Sequence, residues 1–109
     1  MIERKIKHIY HVDSKSINNF LKENSNVILG VYEERCTVSS LFGGMLSQLS
    51  KNIENSYIIL TISRDEYIKS FNLSKVMIYP KIILFKNSKM IKTIEGFMNF
   101  NKVKEKILA

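Results

Sequence analysis

The sequence predicts an α/β domain with a mixed central sheet, in which a βαβαβ unit is followed by a further helix, a β-hairpin and a last helix. Three observations support this prediction. Apolar runs of strand length alternate with segments whose apolar residues recur at helical spacing. Two of those runs are nearly continuous, which is typical of parallel strands buried on both faces. Two later strand-like segments are separated only by Asn87–Ser88, which indicates a hairpin. Helices are therefore expected on both faces of the sheet.

The first strand and the first helix precede the longest apolar run. Lys5–Val12 is expected to form a short strand. Ser14 is the expected N-cap of the helix, because a serine side chain can accept a hydrogen bond from the first helical turn. Polar residues at 24–26 end this helix. Its apolar face consists of Ile17, Phe20 and Leu21.

A buried strand, a short polar loop and a long helix come next. Val27–Tyr32 is a nearly continuous apolar run, as expected of a central strand. Three polar residues then lead to Cys36, and a helix is expected directly after it. The apolar residues of this helix recur at intervals of three or four: Val38, Leu41, Phe42, Met45, Leu46 and Leu49. Cys36 is thus expected between the end of a buried strand and the start of a helix.

The second half of the chain continues the alternation. Tyr57–Ile62 predicts another buried strand, and Asp65 is expected to cap a short helix that carries Tyr67, Ile68 and Phe71.

The hairpin and the last helix complete the domain. Lys81–Lys86 is a predicted strand entered through Pro80, and Met90–Glu95 is the returning strand. These two strands are expected to add antiparallel edge strands to the sheet. Asn99 can cap a final helix, and Gly96 separates that helix from the hairpin.

Length and composition restrict the class of protein. The chain has 109 residues, the size of one domain spanning 1–109. Its net charge is +7, but the lysines are scattered and no cluster of arginine and aromatic residues is visible, so nucleic-acid binding is not expected. The start of the chain is charged and no stretch approaches about 20 apolar residues, so neither a secretory signal nor a membrane segment is expected. We therefore expect a cytoplasmic protein.

Cys36 is the only cysteine, so no internal disulfide can form. The N–H groups and the dipole of a helix start favour a thiolate over a thiol, and Arg35 adds a positive charge. Ser39 lies one helical turn further on, and its hydroxyl can donate a hydrogen bond to the thiolate. A thiolate is the form that attacks disulfides. No metal site is expected, because His8 and His11 tend to point to opposite faces of a strand.

The residues from Val27 to Phe42 resemble the active-site strand, loop and helix of the thioredoxin family. In this resemblance Cys36 falls at the nucleophilic cysteine and Ser39 at the resolving cysteine, which makes the chain a CxxS variant. The segment 76–87 resembles the family's cis-proline segment and the strand after it, and Gly96 matches a family glycine. The resemblance extends from about residue 17 to residue 108 and implies a thioredoxin fold.

The resemblance also implies a substrate surface. Pro80, preceded by Tyr79, is expected to be cis and to lie against Cys36, where its backbone can pair with an extended substrate segment. With Arg35 and Thr37, which flank Cys36, these residues are the expected substrate-binding set.

The sequence also departs from the family pattern at several positions. Arg35 replaces the usual tryptophan, Thr37 and Val38 replace Gly-Pro, and Gly30 stands where the family has a buried acid. In the family that acid relays protons to the resolving thiol, which this chain lacks.

Two functions remain open from the sequence. The first is monothiol exchange in cell redox homeostasis, in which Cys36 forms mixed disulfides with protein thiols and an external thiol such as glutathione releases them. The second is a redox-inactive module that binds a partner protein. Whether the chain is an enzyme stays open. No cofactor is expected. A monomer is expected, although an intermolecular Cys36 disulfide could link two copies. Iron–sulfur handling, as in monothiol glutaredoxin-like proteins, is a third and minor alternative.

Overall fold

The computed structural model describes residues 9–33, 38–52, 57–71, 79–96 and 99–108. Five strands and four helices alternate within these residues as the sequence predicts. The elements are β1 (Ile9–His11), α1 (Ile17–Glu23), β2 (Asn26–Tyr32), α2 (Val38–Asn52), β3 (Tyr57–Ser63), α3 (Arg64–Phe71), β4 (Lys81–Lys86), β5 (Lys89–Glu95) and α4 (Phe100–Leu108). Residues 5–8 of the predicted first strand lie outside the described residues. No helix in the described part of the chain is long and apolar enough to cross a membrane.

The five strands form one mixed sheet in the order β1-β3-β2-β4-β5. β3 lies between β1 and β2 and is parallel to both. β4 runs antiparallel to β2, and β5 runs antiparallel to β4. The fold class is confirmed, with one correction. Only β5 of the hairpin is an edge strand, because β4 pairs with β2 on its other side and is buried along almost its whole length.

Helices cover both faces of the sheet and enclose two apolar clusters. One cluster lies under α2 and α4 and includes Ile28, while the other lies under α1 and α3 and includes Val27 and Leu29. Successive side chains of a strand point to opposite faces, so β2 contributes to both clusters. Each of these three side chains is fully buried, which stabilises the fold by about 1.5–3 kcal/mol per side chain. This explains the continuous apolar run in the sequence.

The start of α1 differs from the prediction. Ser14 does not cap the helix, because its N–H and its Oγ both donate to Glu66 Oε1 on α3, each at 3.1 Å. Asp13 instead organises the turn, since its carboxylate accepts the backbone N–H groups of Lys15 and Ser16. A carboxylate accepts such bonds more strongly than a hydroxyl does, and this makes Asp13 the better acceptor.

The N-cap of α3 differs from the prediction, whereas the N-cap of α4 agrees with it. α3 is capped by Ser63, whose Oγ accepts the N–H of Glu66 at 3.4 Å, and not by Asp65. α4 is capped by Asn99, whose side-chain oxygen accepts the N–H of Lys102 at 3.0 Å, as predicted.

The hairpin turn is held by residues outside it. Asn87 and Ser88 both have positive φ, 52° and 68°, as a tight turn between twisted antiparallel strands requires. The Asn87 N–H donates to the carbonyl of Ser25, and Ser88 Oγ donates to the carbonyl of Leu21. On β5, two large apolar side chains are exposed, Met90 by 47% and Ile91 by 58%.

We predict that acid destabilises the protein in part through Glu66. The pKa of Glu66 is lowered from its ordinary 4.5, chiefly because the Ser14 N–H donates to the carboxylate, with a further contribution from Lys69. The folded state therefore binds this proton less readily than the unfolded state. The stability from this group is present above the unfolded pKa and is lost as pH falls through the lower folded pKa.

Urea unfolding at neutral pH and at successively lower pH measures this effect. Glu66→Gln is expected to weaken the loss of stability with acid. Glu105→Gln, which removes an exposed carboxylate from α4, is the matched control. Equal acid sensitivity in the wild type and in Glu66→Gln would contradict the prediction.

Candidate functional site

The candidate site lies at the edge of the sheet where the three parallel strands end. His11, Tyr32 and Ser63 are the last residues of β1, β2 and β3. His11 pairs with Thr61, and Tyr32 pairs with Ser63, so the strand ends are adjacent. α2 begins at Val38, as predicted, which leaves only five residues between β2 and α2. In open α/β sheets, functional residues often collect at this edge.

Not all predicted site residues can be placed. Arg35, Cys36 and Thr37 lie outside the described residues, and Ser39 is described only as part of the α2 backbone. Tyr79 and Pro80 are described. The site is therefore built from the segments that precede and follow Cys36 and from the Pro80 segment.

The Pro80 segment lies next to the end of β2. The Tyr79–Pro80 peptide bond is cis, and Pro80 is buried. Lys81 pairs with Val31 in an antiparallel register. Pro80, one residue before Lys81, therefore lies beside Tyr32, the last residue of β2. The carbonyl of Pro80 accepts the N–H of Gly96 at 2.9 Å, and Gly96 has φ 80°, which a glycine adopts without strain. The structure thus places Tyr79 and Pro80 beside the strand that leads to Cys36.

The space beside Gly30 is filled by side chains of α2. A Cβ atom added to Gly30 would lie 2.8 Å from Leu46 Cδ1 and 3.0 Å from two ring atoms of Phe42. Both side chains are buried in the cluster under α2 and α4. The resemblance puts a buried acid at this position. Here, a carboxylate side chain has no room unless Phe42 and Leu46 move.

Arg64 contacts both sides of the site, and the sequence analysis missed it. Its Nη1 donates to Glu33 Oε1 at 2.9 Å, and its Cζ lies 5.7 Å from the centroid of the Tyr79 ring. Lys81 Nζ lies 6.0 Å from the same centroid. Tyr32 and Ser63 are paired, so Glu33 and Arg64 are the first residues beyond two neighbouring parallel strands. Opposite charges at two such positions were the signal available in the sequence.

Burial and charge act on the tyrosines of this region. Burial raises the pKa of Tyr79, and the nearby Arg64 opposes that shift through its charge and a side-chain hydrogen bond. Burial likewise raises the pKa of Tyr67 to about 12, with smaller contributions from Tyr79 and Glu95. Both phenols are therefore neutral at physiological pH.

The opposite face of the same edge carries a second polar network. His11 Nδ1 is hydrogen-bonded with Thr61 Oγ1 at 3.0 Å, and Tyr32 OH is hydrogen-bonded with His11 Nε2 at 3.3 Å. Tyr32 and Glu33 are successive residues, so the end of β2 is attached to His11 through one and to Arg64 through the other. Among the described residues, no cluster of three histidine, cysteine or acidic side chains could hold a metal ion.

Comparison with known proteins gives a consistent result. The sequence matches the family described as Thioredoxin over residues 8–109. A mutant thioredoxin from Halobacterium salinarum superposes with a TM-score of 0.76 at 14% identity, covering 97% of this chain and 93% of that one. No curated protein sequence matches the chain significantly.

A second similar structure comes from work on the thiol-resolving mechanism of yeast mitochondrial 1-Cys peroxiredoxin through the glutathione and thioredoxin systems. Its TM-score is 0.74 at 19% identity, and the match covers 92% of this chain and 93% of that one. At these identities both structures support the fold alone.

We predict that Gly30→Ala destabilises the protein by about 1–3 kcal/mol, because the buried Phe42 ring must shift to admit the new methyl group. Gly30→Asp should cost more, since it also buries a carboxylate. Gly43→Ala is the control. A Cβ at Gly43 meets no atom within 4 Å, so this change should stabilise α2 by about 1 kcal/mol. Chemical unfolding measures all three variants, and a Gly30→Asp protein as stable as the wild type would contradict the prediction.

Proposed function

The chain belongs to the thioredoxin family, and on this premise we propose that it carries out monothiol exchange with Cys36 as the nucleophile. Membership of the family supports a role in thiol–disulfide redox chemistry. The observation that carries the finer proposal is the position of Tyr79 and Pro80 beside the end of β2, the strand that leads through Glu33 towards Cys36. A substrate segment bound beside Tyr79 and Pro80 would bring its disulfide close to the residues between β2 and α2, which include Cys36.

The proposed exchange proceeds in three balanced steps. The Cys36 thiolate attacks one sulfur of a substrate disulfide and forms a mixed disulfide, while the other sulfur leaves as a thiolate and takes up a proton. A glutathione thiolate then attacks the Cys36 sulfur of the mixed disulfide, which forms a Cys36–glutathione disulfide and releases the second substrate sulfur as a thiolate that takes up a proton. A second glutathione thiolate attacks the glutathione sulfur, forms glutathione disulfide and releases Cys36 as a thiolate. The external thiol is required because the chain contains no other cysteine.

Activation of Cys36 is assigned to the helix that follows it. α2 begins at Val38, so its N-terminal N–H groups and its dipole act on the residues just before it. We expect these groups, together with the charge of Arg35 and a hydrogen bond donated by the Ser39 hydroxyl, to lower the pKa of the Cys36 thiol. Arg35, Thr37, Tyr79 and Pro80 form the proposed surface for the substrate.

The filled space at Gly30 supports a monothiol mechanism over a dithiol one. In a dithiol mechanism the resolving thiol must lose its proton, and in the family a buried acid assists that step. Here Phe42 and Leu46 occupy the place of such an acid. A protein without a resolving thiol has no need of that proton relay. We further propose that the protein acts as a monomer in the cytoplasm on protein thiols and disulfides.

We predict that glutathione alone supports reduction of insulin disulfides by this protein and that Cys36→Ser abolishes the activity. Alkylation of Cys36 as a function of pH should give a thiol pKa below the free-cysteine value of about 8.5. Ser39→Cys supplies a resolving thiol next to an intact Cys36. The mixed disulfide with glutathione, measured by mass spectrometry, should accumulate in the wild type and decrease in this variant. A wild-type rate equal to that of Cys36→Ser would refute exchange.

A second function, a redox-inactive binding module, is favoured by the contacts around Tyr79. The partly exposed Arg64 and the buried Lys81 both lie near its ring, so cations surround the Tyr79 side chain beside Pro80. A partner bound there would not need the thiol.

This alternative predicts that pull-down of a partner survives Cys36→Ser and fails with Tyr79→Ala. Tyr79→Phe is the matched control, because it keeps the ring and removes only the hydroxyl. Loss of binding on removal of the thiol alone would argue against the module.

A further inference from the structure

Arg64 joins the two segments from which the proposed site is built. Its Nη1 donates to the carboxylate of Glu33, three residues before Cys36 in the chain. Its guanidinium lies over the ring of Tyr79, the residue before Pro80, with Cζ 5.7 Å from the ring centroid. One side chain of α3 therefore connects the end of β2 to the Pro80 segment.

Arginine suits this position better than lysine would. A guanidinium is planar, can stack on an aromatic ring and can donate in several directions at once, whereas an ammonium acts as a point charge. Arg64 Nε is buried and has no hydrogen-bond partner within the described residues. The guanidinium is thus oriented towards Glu33 and Tyr79, and no described residue accepts a hydrogen bond from its Nε.

The ion pair between Arg64 and Glu33 is partly exposed to solvent. The side chains of Arg64 and Glu33 are 33% and 44% exposed, respectively. An ion pair with this exposure contributes little to the stability of the fold. The role of Arg64 is therefore expected at the site and not in the stability of the fold. Two described cations lie near the Tyr79 ring, Arg64 at 5.7 Å and Lys81 at 6.0 Å, and of these two it is Arg64 that also pairs with Glu33 at the end of β2.

We propose that Arg64 is a positioning residue that fixes the Tyr79 side chain against the end of β2 and so holds the Tyr79–Pro80 segment ready for an extended disulfide-bearing substrate. This inference rests on the proposed function and refines the same site. Holding a binding segment in its bound arrangement lowers the entropic cost of association. Loss of Arg64 should therefore affect substrate binding more than the chemistry of the thiol.

Steady-state exchange kinetics test this separation. With insulin as substrate and glutathione as reductant, Arg64→Gln should raise KM about fivefold to tenfold and leave kcat unchanged. The rate at which iodoacetamide alkylates Cys36 should also stay the same. Arg64→Lys should restore part of the loss. Lys69→Gln removes the same charge from an exposed position of α3 and should behave as the wild type.

The ionisation of Tyr79 provides a second readout that general destabilisation would not reproduce. The charge and the hydrogen bond of Arg64 lower the pKa of Tyr79 against the effect of burial. Arg64→Gln should therefore raise this pKa further, and Lys69→Gln should leave it unchanged. Tyrosinate absorbance measures the titration, and its difference from Tyr79→Phe assigns the signal to Tyr79.

The outcomes separate this inference from the proposed function. An active wild type with the same KM in Arg64→Gln would overturn the positioning role. A parallel fall in the alkylation rate would overturn it too, because Arg64 would then act on the thiol itself. If the wild type shows no exchange above Cys36→Ser, the proposed function fails. The Tyr79 titration then decides the role of Arg64, which is rejected if Arg64→Gln does not shift that titration.

Discussion

The double burial of β2 is the constraint on which the rest of the structure depends. This strand lies between parallel β3 and antiparallel β4, and its side chains enter the clusters on both faces. A shift of one residue in its register would exchange the two faces and place Gly30 in the wrong cluster. The register is therefore strongly determined. It also determines where the chain leaves the sheet, next to Pro80 and to the start of α3.

The same strand carries an apolar contact at the position where the family resemblance puts a buried acid. Gly30 keeps β2 in place while Phe42 and Leu46 of α2 occupy the volume beside it. Substituting an apolar contact for a buried acid removes a desolvated charge, and this favours stability. Without an acid at this position, no side chain there can accept a proton from a resolving thiol. Such proton transfer is needed only where a second thiol must be deprotonated. Under the proposed monothiol exchange, the apolar contact that packs against β2 suits a site that needs no proton relay.

The sequence predicted the elements well because their signals are local. The apolar run of β2, the helical spacing after Cys36 and the Asn87–Ser88 turn each correspond to an element of the structure. The errors concern choices between neighbouring polar residues. Ser14 was a reasonable cap, but Glu66 on another helix accepts its hydrogen bonds, and no local pattern reveals that contact. Arg64 was missed for the same reason, since its partners are 31 and 15 residues away in the chain.

The outer edge of the sheet has a consequence for how the protein behaves in concentrated solution. Within the described residues β5 pairs only with β4, so its other side presents backbone groups, together with the exposed side chains of Met90 and Ile91. Such an edge can act as a template for another copy of the chain. Lys86 and Lys89 are exposed on the hairpin beside it, and their like charges are expected to repel a second copy. This protection is electrostatic, so it weakens as ionic strength rises and the screening length shortens. We therefore expect self-association through β5 to increase with ionic strength.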